Sequence, residues 1–273
     1  MSTARTALRV FQMPAADGWR HCVFHAPGRQ GVRGAVVYVH PFAEEMNKSR
    51  RMVALQARAF ASEGYAVLLI DLMGCGDSSG DFADATWTHW CDDVRAAVRW
   101  VQRETGHEPW LWGLRAGALL CVQASDVLAG VPRFLFWQPA PLGRLVWNQF
   151  RRLQVAGAAL RGEDAEPAAV TPGDETIAGY RVDAALSGGL SAATLAPPAR
   201  ASRSCWIEVA PDDGAALLPA TQRALQAWQA AGHRVQAVTL AGKAFWQTTE
   251  IETVPALAAL SVAQLHLAEQ EAA

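Results

Sequence analysis

Trp110-Leu-Trp-Gly-Leu-Arg-Ala-Gly117 decides the reading of this chain: an apolar run closes on Gly-Leu-Arg-Ala-Gly and passes directly into a second apolar run. In that layout a strand turns sharply into a helix. Glycines at 113 and 117 permit the close approach, and the central side chain stands exposed above a sheet. The central position is one that commonly carries a nucleophile. Here it carries Arg115, whose guanidinium stays protonated, offers donors only and has no lone pair for attack. Serine-type hydrolysis at this turn is therefore not expected, although the strand-turn-helix geometry is.

Outward from this turn the chain alternates strands and helices. Upstream, residues 8–12 and 21–25 read as two short strands forming an antiparallel start, and Gly34-Ala-Val-Val-Tyr-Val-His40 as a buried strand. Met52, Leu55, Ala59 and Phe60 are expected on one face of the helix that follows, and Tyr65-Ala-Val-Leu-Leu-Ile-Asp71 is the next strand. Trp87, Trp90, Val94, Ala97, Val98 and Val101 recur at three- and four-residue spacings, which predicts an amphipathic helix over 85–103. Downstream of the turn, the expected elements are helix 116–129, strand 133–137, strand 205–210, helix 216–231, strand 234–240 and helix 254–270. This rhythm means a mostly parallel sheet with helices on both faces. It is broken between 139 and 203 by a predicted helix over 145–160 and a Pro/Gly/Ala-rich stretch containing Glu163-Asp-Ala-Glu-Pro and Ser187-Gly-Gly. The expected division is thus a core of 1–138 and 204–273 with a cap insertion at 139–203. Trp147, Phe150 and Leu153 either line an apolar pocket there or pack the insertion onto the core.

Composition sets the outer bounds. The 273 residues, 51% hydrophobic and 18% charged, can bury a large core, and a formal charge of -2 argues against a nucleic-acid partner. Cysteines 22, 75, 91, 121 and 205 are odd in number and scattered, with no C-x-x-C pair, so neither a disulfide framework nor a zinc ribbon is expected and a reducing cytoplasm fits. Residues 1–12 contain no apolar signal core, and no apolar run of about 18 residues is present to span a bilayer.

Four segments together resemble a known family: Val39-His-Pro-Phe-Ala-Glu-Glu-Met-Asn-Lys-Ser-Arg-Arg51, Asp71-Leu-Met-Gly-Cys-Gly-Asp-Ser-Ser79, the Gly-Leu-Arg-Ala-Gly turn and Phe245-Trp-Gln-Thr-Thr-Glu-Ile251. They are similar to exosortase A system-associated hydrolase 2, over nearly the whole chain. The resemblance implies an α/β-hydrolase fold and a bacterial cytosolic accessory of exosortase and exopolysaccharide systems. The reaction has to be argued from the residues, because fold alone does not fix function.

In that fold a nucleophile, an acid and a histidine follow one another along the chain. Arg115 replaces the nucleophile. Asp212, beside Asp213 beyond the strand 205–210, stands where the acid is expected, and an Asp-Asp-Gly turn explains the same residues equally well. The histidine should follow the strand 234–240, yet the segment reads Ala241-Gly-Lys-Ala-Phe-Trp-Gln247. His233 and His266 both fall outside it. What remains is a charged pocket in which the loop after 34–40 brings His40, Glu44 and Glu45 beside Arg115. A ligand carboxylate or phosphate could dock on Arg115 and on the helix N-terminus at Ala116, where unpaired N–H groups favour an anion. Alternatively Arg115 pairs internally with Glu44 or Glu45. A third arrangement has Arg115 orient one glutamate while the other, raised in pKa by its like-charged neighbour, activates water.

Other candidates are weaker. Gly74-Cys-Gly-Asp-Ser-Ser-Gly80 does not open a helix directly, as a dinucleotide loop must, so Ser78 and Ser79 read as turn residues. Cys75 could face the pocket, with His40 as its only histidine. His40 itself is expected to shape the oxyanion region, His89 and Cys121 to be structural, and the tryptophans to be packing. No metal-ligand spacing is present among the seven histidines, so no metal or cofactor is expected.

Three classes of function follow: a hydrolase or acyl-transfer enzyme acting on a small ester or thioester through water activated by Glu44 or Glu45; a catalytically silent binding or regulatory protein for a small anionic ligand; and a scaffold for a biosynthetic protein partner.

Overall fold

The structure is a computed structural model that describes residues 7–28, 31–152 and 175–270, together with the helical backbone of 153–160. The Glu163-Asp-Ala-Glu-Pro run, the Leu153 side chain and residues 1–6 lie outside the described residues. A hairpin, β1 (Leu8–Ala15) and β2 (Gly18–His25), leads into an alternating series: β3 (Gly34–Val39), α1 (Glu44–Ser62), β4 (Tyr65–Ile70), α2 (Trp87–Thr105), β5 (Pro109–Leu114), α3 (Ala116–Ala124) and β6 (Arg133–Trp137). Between β6 and the next sheet strand lie α4 (Gly143–Leu160), a small hairpin of β7 (Glu175–Ile177) and β8 (Tyr180–Val182), and α5 (Ala184–Ala192). The chain then completes the sheet with β9 (Arg203–Ala210), α6 (Pro219–Ala230), β10 (Arg234–Ala241) and α7 (Pro255–Gln270).

Eight strands form one sheet in the order β1-β2-β4-β3-β5-β6-β9-β10, parallel from β4 to β10 and antiparallel at the hairpin end. This is the α/β-hydrolase fold. β3 and β5 are buried at every position, the mark of strands covered on both faces. One face packs on α2 and α3 through Trp90, Val94 and Val98, the other on α1 and α7 through Val53, Phe60 and Leu257. Because the chain leaves β3 for β4 on one side and returns to β5 on the other, the sheet has a switch point between β3 and β5. A crevice opens there at the strands' carboxyl ends.

Three expectations need correction. The buried face of α1 runs through Met46, Met52, Val53, Ala57 and Phe60, and Leu55 is exposed, because α1 is seated by its contacts with β4 and α7. The helix after the turn ends at Ala124 and continues as a single tighter turn at Ser125–Val127. The Pro/Gly/Ala-rich stretch holds α5, with Ser187-Gly-Gly inside the helix: a Cβ on Gly189 would sit 2.2 Å from Trp87 Cβ, so the missing side chain lets α5 close on α2. Among the described residues no helix is long and apolar enough to cross a membrane.

Candidate functional site

The site is built on the turn between β5 and α3. Arg115 has φ 55 and ψ -116, a conformation forbidding for a residue with a Cβ. It is held there by its backbone: its N–H donates to the Trp137 carbonyl at 3.0 Å, and its own carbonyl accepts from Ala118 at 3.2 Å and Ala140 at 3.3 Å. Both motif glycines are sterically required. A Cβ on Gly113 would lie 2.6 Å from the Ala118 nitrogen, and one on Gly117 would lie 2.3 Å from the Val39 carbonyl oxygen. Two more strained residues stand at neighbouring strand ends: Ala43, which opens α1 at φ 49, and Gln138 after β6 at φ 44. Such strain runs to about 1–3 kcal/mol per residue and clusters at functional sites.

The Arg115 side chain turns towards α1 and α4. Its Nε donates to Glu45 Oε1 at 3.3 Å and its Nη2 to Gln149 Oε1 at 2.8 Å, while the guanidinium carbon sits 6.0 Å from the centre of the Trp246 ring. Glu45 Oε1 also accepts from Gln247 Nε2 at 3.2 Å. The pair is largely shielded, each side chain being 15% exposed. Burial pushes the Glu45 carboxyl above the ordinary glutamate range, a rise that Arg115, Gln247 and Lys48 oppose without cancelling. Its second oxygen, Oε2, is buried without a hydrogen-bond partner.

Beside this pair is a cavity of about 280 Å³ with an apolar side formed by Phe42, Val146, Phe150 and Trp246 and a polar side of Glu44, Glu45, Lys48, Gln149 and Gln247. Glu44 accepts a 2.8 Å hydrogen bond from the Tyr180 hydroxyl on β8, and Tyr180 packs edge-on against Phe82 and Phe150. The chain excursion between β6 and β9 thus supplies one wall.

The expected site residues separate clearly. Glu45 pairs with Arg115 and lines the cavity together with Glu44, and Ala116 follows Arg115 as the first residue of α3, where a helix start leaves N–H groups without intrahelical partners. The internal pair forms with Glu45 and not with Glu44. The raised glutamate is this same Glu45, and its cause is burial, which corrects the expected division into one oriented and one like-charge-raised carboxylate. His40 is buried behind the cavity: Nδ1 meets the Pro41 carbonyl at 2.8 Å and Nε2 accepts from Leu72 N–H at 3.2 Å. It ties the ends of β3 and β4 together and does not line this cavity. Asp212 is exposed on the turn after β9 and does not line the cavity, and the segment after β10 brings Trp246 and Gln247 to it in place of a histidine.

Cys75 is buried and its thiol pushed far up by desolvation, so it is no thiolate nucleophile. Ser78 Oγ accepts from the His21 N–H at 2.8 Å and donates to the Asp71 carbonyl, and Ser79 Oγ donates to the Trp19 carbonyl, which makes both fasteners of the turn to the β1–β2 hairpin. Phe150 lines the cavity, whereas Trp147 packs edge-on against Phe42. His233 meets Ser202, and His266 stacks on Tyr65. Sequence reasoning missed Lys48, Gln149, Tyr180, Trp246 and Gln247. The only advance signals were the placement of Lys48 one turn after Glu44 and Glu45, and a glutamine in the loop where a histidine was sought.

Comparison with known proteins agrees with this architecture. The model of the Hydrolase_4 family, described as serine aminopeptidase, S33, matches residues 30–211. Est1E from Butyrivibrio proteoclasticus, solved with ferulic acid bound, superposes with a TM-score of 0.71 at 15% identity, covering 96% of this chain and 100% of that one. XC6422 from Xanthomonas campestris, described as an α/β serine hydrolase without a lid, gives 0.56 at 17% identity over 96% of each chain. A carboxyl esterase from Bacillus coagulans gives 0.57 at 13% identity over 87% of this chain and 91% of that one. At these identities the likeness is one of fold. No curated protein matches by sequence.

Proposed function

The chain belongs to the Hydrolase_4 family, serine aminopeptidase S33, within the α/β-hydrolase superfamily, and from that premise we propose that it is an esterase-like protein that binds a small acyl compound without serine chemistry. The observation that carries this reading is the guanidinium at the centre of an intact elbow. The strained backbone of such a turn is kept at Arg115, with a second strained residue at Ala43, while the attacking atom is replaced by donors. In this reading a ligand carboxylate or carbonyl sits against Arg115, Lys48 and the start of α3, and its apolar part rests on Phe42, Phe150 and Trp246. Glu45 holds Arg115 in place and neutralises it until the ligand arrives. The setting we infer is the cytoplasm of a bacterium with exosortase and exopolysaccharide systems, supported by the four segments that resemble exosortase A system-associated hydrolase 2.

A second reading, hydrolysis of a small ester or thioester by water on Glu45, is favoured by the raised affinity of Glu45 for a proton. Against it, one carboxylate oxygen is shared by two donors and the other is shielded. Intact mass after a fluorophosphonate probe, turnover on short acyl esters and thioesters, and calorimetric titration with short carboxylates separate the two. A saturable carboxylate site that is lost in Arg115→Ala and kept in Ala54→Trp, with neither adduct nor turnover, is the expected result. Turnover that disappears in Glu45→Gln establishes the second reading in its place, and a probe adduct refutes both.

A further inference from the structure

α1 borders a second cavity, of about 240 Å³, that shares no lining residue with the Arg115 cavity. It exists because the β1–β2 hairpin extends the sheet two strands beyond β4, leaving the sheet face beside α1 open. Its apolar floor comes from Leu8, Val23 and Leu69, and its flank from Arg50, Ala54 and Arg58, which recur every four residues along one face of the helix.

The polar groups on its walls are incompletely used. Arg50 is paired with Asp71 at 3.1 Å, but Arg58 makes no ion pair among the described residues. His25, 5% exposed, makes no side-chain hydrogen bond among them either, and burial together with the Arg58 charge disfavours its protonated form. The Tyr38 hydroxyl is buried beside Ser49, whose own hydroxyl donates to the Met46 carbonyl. An arginine with no ion pair and a buried imidazole with no side-chain hydrogen bond among the described residues border one apolar groove, and a ligand there would engage both.

We propose that this groove binds a small anionic amphiphile, a short alkyl or acyl chain ending in a carboxylate or phosphate, with its head held by Arg58 and Arg50 and its chain laid on Leu8, Val23 and Leu69. Its volume lies just below the range of ordinary ligand pockets, which limits the guest to a short chain.

Calorimetric titration of the full chain with octanoate, octyl phosphate and octanol tests this. Saturable binding of one or both anions is expected. Preference for octanoate assigns an acyl carboxylate, and preference for octyl phosphate a phosphate head. Arg58→Glu should weaken the anion by about tenfold or more. Ala54→Trp, which fills the groove without touching charge, should abolish this site, and in Arg115→Ala, which removes only the site proposed above, binding to the groove should persist. The proposal fails if neither anion binds, if octanol binds as tightly as the anions, if Ala54→Trp binds like wild type, or if Arg115→Ala removes all binding.

Discussion

Replacing Arg115 by alanine isolates the electrostatic content of the site, because alanine keeps the Cβ and so leaves the strain at φ 55 in place. What changes is the partner of Glu45. Breaking a fully buried pair costs roughly 3–5 kcal/mol and an exposed one at most about 1 kcal/mol. For a 3.3 Å contact between side chains each 15% exposed, about 2 kcal/mol at pH 7 follows. In a chain of this size that is a fall in melting temperature of about 5 °C. The pH dependence has a definite sign. Glu45 already binds its proton more tightly in the folded state than in the unfolded chain, and loss of Arg115 raises that affinity further. An acid with a raised folded pKa contributes nothing adverse below its unfolded value of about 4.3, and destabilises as pH rises through the folded value. The gap between wild type and Arg115→Ala should therefore widen as pH rises from 4 to 7. Adding Glu45→Gln to Arg115→Ala should recover most of the loss at pH 7. Equal gaps at both pH values, or no recovery in the double variant, would show that Arg115 contributes through packing and would refute the charge argument.

Three further outcomes are expected. Arg115→Ser should stay unlabelled by a fluorophosphonate in intact-mass spectra, because the loop after β10 supplies Trp246 and Gln247 and no base; rapid labelling would place an undetected base at the elbow. Two adjacent glycines in α5 should behave oppositely in thermal melts: Gly188→Ala, which meets nothing within 4 Å, should gain about 0.5–1 kcal/mol, whereas Gly189→Ala, driven against Trp87 Cβ, should lose about 1–3 kcal/mol. The five buried cysteines should resist iodoacetamide at pH 8 until the chain unfolds, since burial pushes Cys22 and Cys91 to about 12 and Cys75 and Cys121 upward as well; native labelling of Cys75 would reopen it as a nucleophile.

The parts of the fold legible in the sequence are those governed by local periodicity. The apolar runs of β3, β4 and β5 and the tryptophan-rich face of α2 are buried as their spacing requires. The β7–β8 hairpin and α5 were not legible. A three-residue strand has no period to read, and a helix containing adjacent glycines is stabilised by its contact with Trp87 against its own propensity. In the site, the charge at the elbow was plain, and so was the supply of glutamates one loop away. The choice of Glu45 over Glu44 was not, because it depends on Tyr180, 136 residues from Glu44, and on Gln247, 202 residues from Glu45. Polar partners that meet only through topology leave no spacing to recognise.

The elbow also explains how the fold can carry Arg115 at its centre and keep its pocket. Arg115 is fixed through its main chain, by Trp137 on one side and by Ala118 and Ala140 on the other, and the clearances at Gly113 and Gly117 are set by backbone atoms of α3 and of the loop after β3. None of these contacts involves the side chain at 115. The strained turn and the helix start at Ala116 therefore hold their geometry whatever residue occupies the centre, so exchanging that side chain alters the chemistry offered to a ligand without moving the groups that receive it. A guanidinium there needs a counter-charge when the cavity is empty, and Glu45, drawn to it from the first turn of α1, supplies one. Ligand binding and the Glu45 contact then compete for the same donors. An acyl anion should bind more tightly to Glu45→Gln than to wild type, whereas a glutamate acting as base would leave that variant without turnover and with no gain in affinity.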